Sequence, residues 1–361
     1  MQPFNVEIFD RSFNLIQHYN VGAIDYNYDY LSTVENSILI EFNENVQKGD
    51  YIRIVNNTDS YFGFISSIAV NEAIQGFSEI RFKPFISLFD ASVVFDTTLQ
   101  MSATSLEQTL ADIITAYWIS NSDSDQNIYG LEVETLSTTS NWTFHITPDQ
   151  KELDYAIINF TTALVRRSLT KYQIGLYAEP DFVNQKIKVE IGVKALATTY
   201  IEADLPNVIE KSIVVNETSV DVNKLVIYDQ ADLVTNVIYY KHPDGAYDTT
   251  DSNRIVPVIY GITSVSVASG GTFADAAQDA ADKQFDTDTY SNLIELTVQN
   301  EDEIVMPSSL TIGQTVNVIS NGTSYSSILT GVERSTKTKL IFGTIRLDLT
   351  KIIKGGLENG Y

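Results

Sequence analysis

The sequence contains no cysteine. That removes disulfide bridges, thiol nucleophiles and cysteine-bound zinc together. Histidine occurs only as His18, His145 and His242, and none falls at metal-pair spacing or in an HExxH pattern. Basic residues are scarce, 23 against 47 acidic, leaving a formal net charge of −24. A nucleic-acid-binding surface needs clustered Lys and Arg, so this balance argues against one. A surplus of carboxylates instead repels a polyanion, or lets one pass without holding it. No stretch approaches the roughly 18 apolar residues that span a membrane. The opening "MQPFNVEIFDRSFNLIQ" reads as a strand rather than a signal peptide, so synthesis in the cytoplasm without membrane insertion is expected.

Sequence patterns of catalysis are also missing. There is no GxSxG elbow, no GxxxxGK[ST] loop and no GxGxxG after a strand. "DSDQNIYGLEVE", residues 123–134, places Asp123, Asp125, Asn127 and Glu134 at calcium-loop positions, but Ile128 stands where the sharp turn needs Gly. It reads as a solvated turn. "ASGGT", residues 268–272, reads as a loop feeding a helix cap. No catalytic residue, cofactor or metal is expected, and the chain reads as something other than an enzyme. Trp118 and Trp142 are the aromatic candidates for a carbohydrate platform, although Trp118 falls on an apolar helix face.

What is abundant is β-forming: 20 Tyr and 17 Phe among many Val, Ile and Thr. "FNVEIFD", "SILIEFN", "DYIRIVN", "SYFGFISSIAV" and "SEIRFKPF" read as short strands separated by turns, giving a first β-barrel over residues 1–101. Strands near 208–228 are expected to complete it. Residues 102–207 read as an inserted α/β module. There, Thr104 and Glu107 suggest a capping box for one helix, and Thr147, Pro148 and Gln150 the start of another. Arg166 and Arg167 would close that second helix, ahead of two strands, "YQIGLYA" and "QKIKVEIGV". Residues 208–361 read as a second barrel carrying an Ala-rich helix at about 272–285, capped by Thr272 and Asp275. The expected class is mainly β with an α+β insertion and two similar small β-barrels.

Two segments carry an internal repeat. "KGDYIRIVNNTDSYFGFISSI" (48–68) and "IGQTVNVISNGTSYSSILTGV" (312–332) align without gaps at an offset of 264. Gly49 then meets Gly313, Tyr61 meets Tyr325, Asn57 meets Asn321 and Ser60 meets Ser324. Each glycine is expected to serve a turn that a side chain would obstruct. Each tyrosine is expected to lay its ring on a barrel with the hydroxyl outward.

In this order of units the chain resembles the hub proteins of phage tail tips and baseplates. The resemblance rests on the 48–68 segment leading to "ISLFD", on "IEKSIVVNETSVDVNKLVIYDQ", on the Ala-rich helix, and on the 312–332 segment leading to "KLIFGTIRLDLT". It implies a homotrimer with two barrels per chain, six in the ring, around a bore that passes DNA. It also implies a virion location, with distal tail or tail-tube proteins, a tape-measure protein and tip or receptor-binding proteins as partners. A host-receptor or carbohydrate-binding module of a virion is the alternative.

Overall fold

Alternation of apolar and polar residues builds the first strands. In β1 (Phe4–Phe9), Val6 and Ile8 are fully buried while Asn5 is exposed. β2 (Leu15–Val21), β3 (Tyr26–Asp29), β4 (Asn36–Glu41), β5 (Tyr51–Val55), β6 (Ser60–Val70) and β7 (Phe77–Pro84) follow. The computed structural model describes residues 4–343, except 23, 32–34, 42, 56–59, 71–75, 97–104, 141, 143–154, 194–198, 215–221, 243–246, 253, 268–270, 286–291, 300–309 and 336.

Six of these strands form one antiparallel sheet in the order β2-β1-β5-β6-β7-β4. Its inward side chains, among them Val6, Ile8, Ile54, Tyr61, Ile65 and Phe82, make one core. The sheet curls until its edges meet through side chains: the Tyr19 hydroxyl donates to the Glu41 carbonyl at 2.9 Å, and the Asn43 amide to Gln17 at 2.5 Å. The outer face of β6 is covered as well. Phe62 stacks on Phe85 at 5.2 Å and meets Phe182 edge-on at 5.9 Å.

Next come β8 (Ser92–Asp96), α1 (Leu106–Ile114), β9 (Leu131–Thr135), β10 (Tyr155–Asn159), α2 (Arg166–Tyr172), β11 (Gly175–Asp181) and β12 (Lys186–Gly192). β8 pairs with β10, while β12 lies between antiparallel β11 and parallel β9. The cap of α1 is Ser105, which accepts from the Gln108 N–H at 3.2 Å. Thr104 lies outside the described residues. The expected pairing of Thr104 with Glu107 therefore falls outside what the structure describes. Glu107 is buried and accepts from the Ser137 hydroxyl (2.7 Å), the Thr139 N–H (2.8 Å) and the Thr139 hydroxyl (2.9 Å), which fastens that segment to α1. Burial pushes its carboxyl up, but the donors outweigh burial and hold it below the ordinary carboxylate value.

Thr147, Pro148 and Gln150 lie outside the described residues, and the chain from Tyr155 to Asn159 is strand, not helix. The helix begins after Asn159, whose side chain accepts from the Thr162 N–H at 2.9 Å. A π-turn over Phe160–Val165 leads into α2, so Arg166 and Arg167 open α2 and Lys171 occupies its last turn.

The rest comprises β13 (Thr199–Glu202), β14 (Val208–Val214), β15 (Lys224–Asp229), β16 (Asn236–Lys241), β17 (Tyr247–Asp248), β18 (Tyr260–Val265), α3 (Phe273–Phe285), β19 (Leu293–Gln299), β20 (Thr315–Ser320), β21 (Thr323–Arg334) and β22 (Lys337–Gly343). The chain divides into a larger unit, residues 1–215 with 292–361, and a smaller one, 216–291. In the smaller unit the sheet order is β17-β16-β15-β18. Ala277, Ala281 and Phe285 of α3 pack on Leu225, Ile227 and Tyr239. Thr272 accepts from the Asp275 N–H at 3.2 Å and donates to its carboxylate at 2.6 Å, capping α3.

In the larger unit a second sheet runs β13-β20-β21-β22-β19-β14, with β3 pairing to β21. Val316, Val318, Leu296, Leu340 and Phe342 are fully buried in it. The strands near 208–228 therefore do not complete the first barrel. β14 pairs with β19, and β15 buries Leu225 and Ile227 against the helix that follows it in sequence. Residues 216–291, expected inside the second barrel, stand as their own unit. The protein is mainly β, with two curled half-barrel sheets and small helical segments.

Candidate assembly site

The residues singled out by the repeat lie on two hairpins of one geometry. Gly49 occupies the third position of a turn closed by the Asp50 N–H to the Gln47 carbonyl at 3.2 Å, and its φ is +93°. Gly313 occupies the same position of a turn closed by the Gln314 N–H to the Thr311 carbonyl at 2.9 Å, with φ +87°. A positive φ at that position is what glycine supplies at no steric cost. The fourth residue of each turn reaches back with its side chain. Asp50 accepts from the Gln47 N–H at 2.7 Å, and the Gln314 amide oxygen accepts from the Thr311 N–H at 3.1 Å.

The strands that leave the turns are in the same register. Gly49 N–H donates to the Ile65 carbonyl, and Gly313 N–H to the Leu329 carbonyl, both at 2.8 Å. Tyr61 lies opposite Ile54 in β5–β6, and Tyr325 opposite Val318 in β20–β21. A bulge then interrupts the next ladder at the same place, between Ile65 and Ser67 in β6 and between Leu329 and Gly331 in β21. A bulge bends its strand and raises the local twist, so both sheets curl from matching positions. Each copy continues into a strand that pairs with an earlier one: β7 with β4, and β22 with β19. The flanking strand differs, since β1 runs antiparallel to β5 whereas β13 runs parallel to β20. Asn57 lies outside the described residues.

The tyrosines share register but not surroundings. Tyr61 is fully buried, its ring 5.3–5.5 Å from those of Tyr26, Tyr28 and Phe82, and its hydroxyl is 3.4 Å from the Asn36 amide. Its hydroxyl therefore does not point outward. Directly opposed residues share one face of a ladder, and Ile54 is fully buried there. Burial pushes the Tyr61 phenol well above its ordinary value. Tyr325 is only half-buried.

Asp50 offers a direct check on the turn. Burial pushes its carboxyl up, the Gln47 N–H and Arg11 draw it down, and Asp10 adds to the rise, leaving it above 3.8. For a carboxylate raised in the folded state, the penalty is absent below the unfolded value and complete above the folded one. Asp50→Asn keeps an acceptor for the Gln47 N–H, as Gln314 does in the second copy. We expect it to stabilise the fold at pH 7 and to change nothing at pH 3. Urea midpoints at the two pH values read this out.

The remaining sequence candidates take structural places. Trp118 and Trp142 are buried, which removes both as an exposed sugar platform. Trp118 packs edge-on against Phe89 at 5.0 Å. His18 is an exposed residue of β2, His242 Nε2 lies 3.2 Å from Asp248, and His145 lies outside the described residues. Asp123 accepts from the Asp125 N–H at 3.1 Å, Asn127 accepts from the Asn121 N–H at 2.8 Å, and Glu134 pairs with Lys188 at 2.5 Å. Among the described residues no three His, Asp or Glu side chains converge as a metal site. Bases on the sheets lie against carboxylates: Lys186 on Glu132, Lys211 on Asp204, and Lys339 on Glu295 at 2.8 Å. Their charge is thus cancelled locally. Among the described residues no helix is long and apolar enough to cross a membrane.

Solved structures share this arrangement over nearly the whole chain. The 43 kDa tail protein of prophage MuSo2 from Shewanella oneidensis is 14% identical, with a TM-score of 0.53 over 95% of this chain and 98% of that one. The fold is that of phage tail proteins. A tail protein from Neisseria meningitidis MC58 shows the same fold at 13% identity, TM-score 0.54, over 95% and 96% of the two chains. A chain of the phage P2 baseplate, in its activated conformation with Ca, shows it at 10% identity, TM-score 0.54, over 95% and 98%. No protein-family model matches the sequence, and no curated protein matches it. The tail-protein fold is therefore visible in backbone geometry at sequence identities of 10–14%.

Proposed function

We propose that the chain is the structural hub of a phage tail tip or baseplate. Three copies close into a ring. Each contributes two half-barrels, so the ring offers six roughly equivalent positions to a sixfold tail tube and three to the tip, as closed symmetry requires. The observation that carries this reading is the doubled hairpin, with the same glycine turn, register and bulge 264 residues apart. The bore passes DNA without binding it, and the net charge of −24 favours passage over retention. The partners are distal tail or tail-tube proteins and a tape-measure protein on one side, and tip or receptor-binding proteins on the other. The role is structural rather than enzymatic and calls for no cofactor. The protein is made in the host cytoplasm and resides in the virion, with no membrane insertion of its own.

Light scattering on the eluting full chain tests the assembly state. We expect a mass three times the 40.2 kDa of one chain at high concentration. A monomer mass at every concentration would count against the ring.

A further inference from the structure

A cavity of about 300 Å³ opens inside the larger unit. Five stretches of the described chain wall it: Tyr28–Leu31, the β6 residues Ser60 and Phe62, Pro84 and Ile86 at the end of β7, Leu176–Pro180 of β11, and the approach to Gly313 at Thr311 and Ile312. It thus lies where the two copies of the repeat meet the inserted module. The two charged residues among its described lining, Asp29 and Glu179, are both acidic. Asp29 is 95% removed from solvent, with its carboxylate against Gly331 of β21, whereas Glu179 is exposed.

Tyr28, Tyr30, Phe62 and Tyr177 are the aromatic residues of this lining, and two of them are held in place. The Leu176 N–H donates to the Tyr30 hydroxyl at 2.9 Å. Tyr177 is wedged between two glycines: a Cβ on Gly175 or Gly313 would fall 2.1 or 2.4 Å from its hydroxyl oxygen. Burial, with Glu179 adding to it, pushes the Tyr28 phenol up to about 12, so it presents a neutral ring near pH 7.

Ring faces attract cations, by about 0.5–1 kcal/mol when exposed and about 2 or more when desolvated. An anion would meet the exposed Glu179, and among the described lining residues there is no lysine, arginine or histidine to receive it. The volume is at the lower end of small-ligand sites, room for one side chain and too little for a peptide strand. We propose that this cavity receives a lysine or arginine side chain of a partner protein, held by its aromatic residues and the Glu179 carboxylate. This goes beyond the hub reading and does not depend on it.

Ring-labelled tyrosine NMR on the full chain tests the proposal with n-butylguanidinium, its neutral analogue n-butylurea, and a capped Gly-Gly-Arg-Gly-Gly peptide. We expect the guanidinium to shift the Tyr28, Tyr30 and Tyr177 ring signals and to bind about tenfold more tightly than the urea. Added salt should weaken the cation selectively. Glu179→Gln changes an exposed residue, so folding should persist while the cation's affinity falls several-fold. The peptide should displace butylguanidinium. Equal binding of the urea, or no ring shift with any probe, would overturn the cationic assignment. Binding of butylguanidinium that the peptide cannot displace would overturn the partner side chain in favour of a free small cation.

Discussion

Gly313→Val should unfold the chain far more readily than Gly49→Val, although the two glycines occupy matching positions. Both have φ near +90°, where a β-branched side chain is strained by roughly 1–3 kcal/mol. What lies beyond the missing Cβ separates them. At Gly313 the new carbon would lie 2.4 Å from the hydroxyl of Tyr177, a buried ring that cannot withdraw. Overpacking of that kind adds about 1–3 kcal/mol. At Gly49 it would meet the guanidinium of Arg11 at 2.5 Å, the far end of an exposed side chain. Arg11 can swing away at the cost of one hydrogen bond to the Lys48 carbonyl, 3.1 Å long. Urea unfolding should thus show a loss of about 3–5 kcal/mol for Gly313→Val and about 1–3 kcal/mol for Gly49→Val. Equal losses would mean that the turn alone, and not its neighbour, sets the cost.

The second large effect is at Tyr61. Tyr61→Ala should cost about 3–5 kcal/mol, the range for emptying a fully packed aromatic site. Three rings lie 5.3–5.5 Å from it and the ladder holds them apart, so the cavity cannot readily collapse. Tyr325→Ala, at the matching position, should cost about 1–2 kcal/mol, because a half-buried ring has less contact to lose. Tyr61→Phe separates ring from hydroxyl. The Asn36 contact is long, 3.4 Å, and the same Asn36 amide also donates to the Asn27 carbonyl at 3.0 Å, so a loss under about 1 kcal/mol is expected. Thermal and urea unfolding of the three variants give the ranking. If Tyr325→Ala proves as costly as Tyr61→Ala, the two hairpins are alike in packing as well as in register.

Local chemistry was readable in the sequence wherever it was sufficient. β1, β4 and β7 alternate and were legible, β2 and β3 were not among the strands read, and β11 and β12 stand where two apolar runs flank "EPDFVN". The cap of α3 was visible because Thr272 and Asp275 are neighbours whose bonds close on each other. The glycine turns were visible because a positive φ leaves a mark on residue type.

What failed depends on partners distant in sequence. "YAIIN", residues 155–159, is a short apolar run that periodicity cannot assign. Its pairing with β8 some sixty residues earlier makes it a strand. Glu107 looked like half of a capping box, yet its carboxylate is used thirty residues on, at Ser137 and Thr139. The burial of Tyr61 could not be read from a match with Tyr325, since register fixes the face and not the depth of cover. The cavity beside Gly313 left no pattern at all, because its walls come from five separate stretches of chain.

The doubled hairpin is the centre of the functional reading. Copies of one geometry within a chain have an assembly consequence only if several chains place them around a common axis. Image averages of the purified full-length protein by electron microscopy test this most directly. The account predicts a ring of three chains with six similar lobes around an open bore. Single particles without a ring, or a ring of another order, would contradict it.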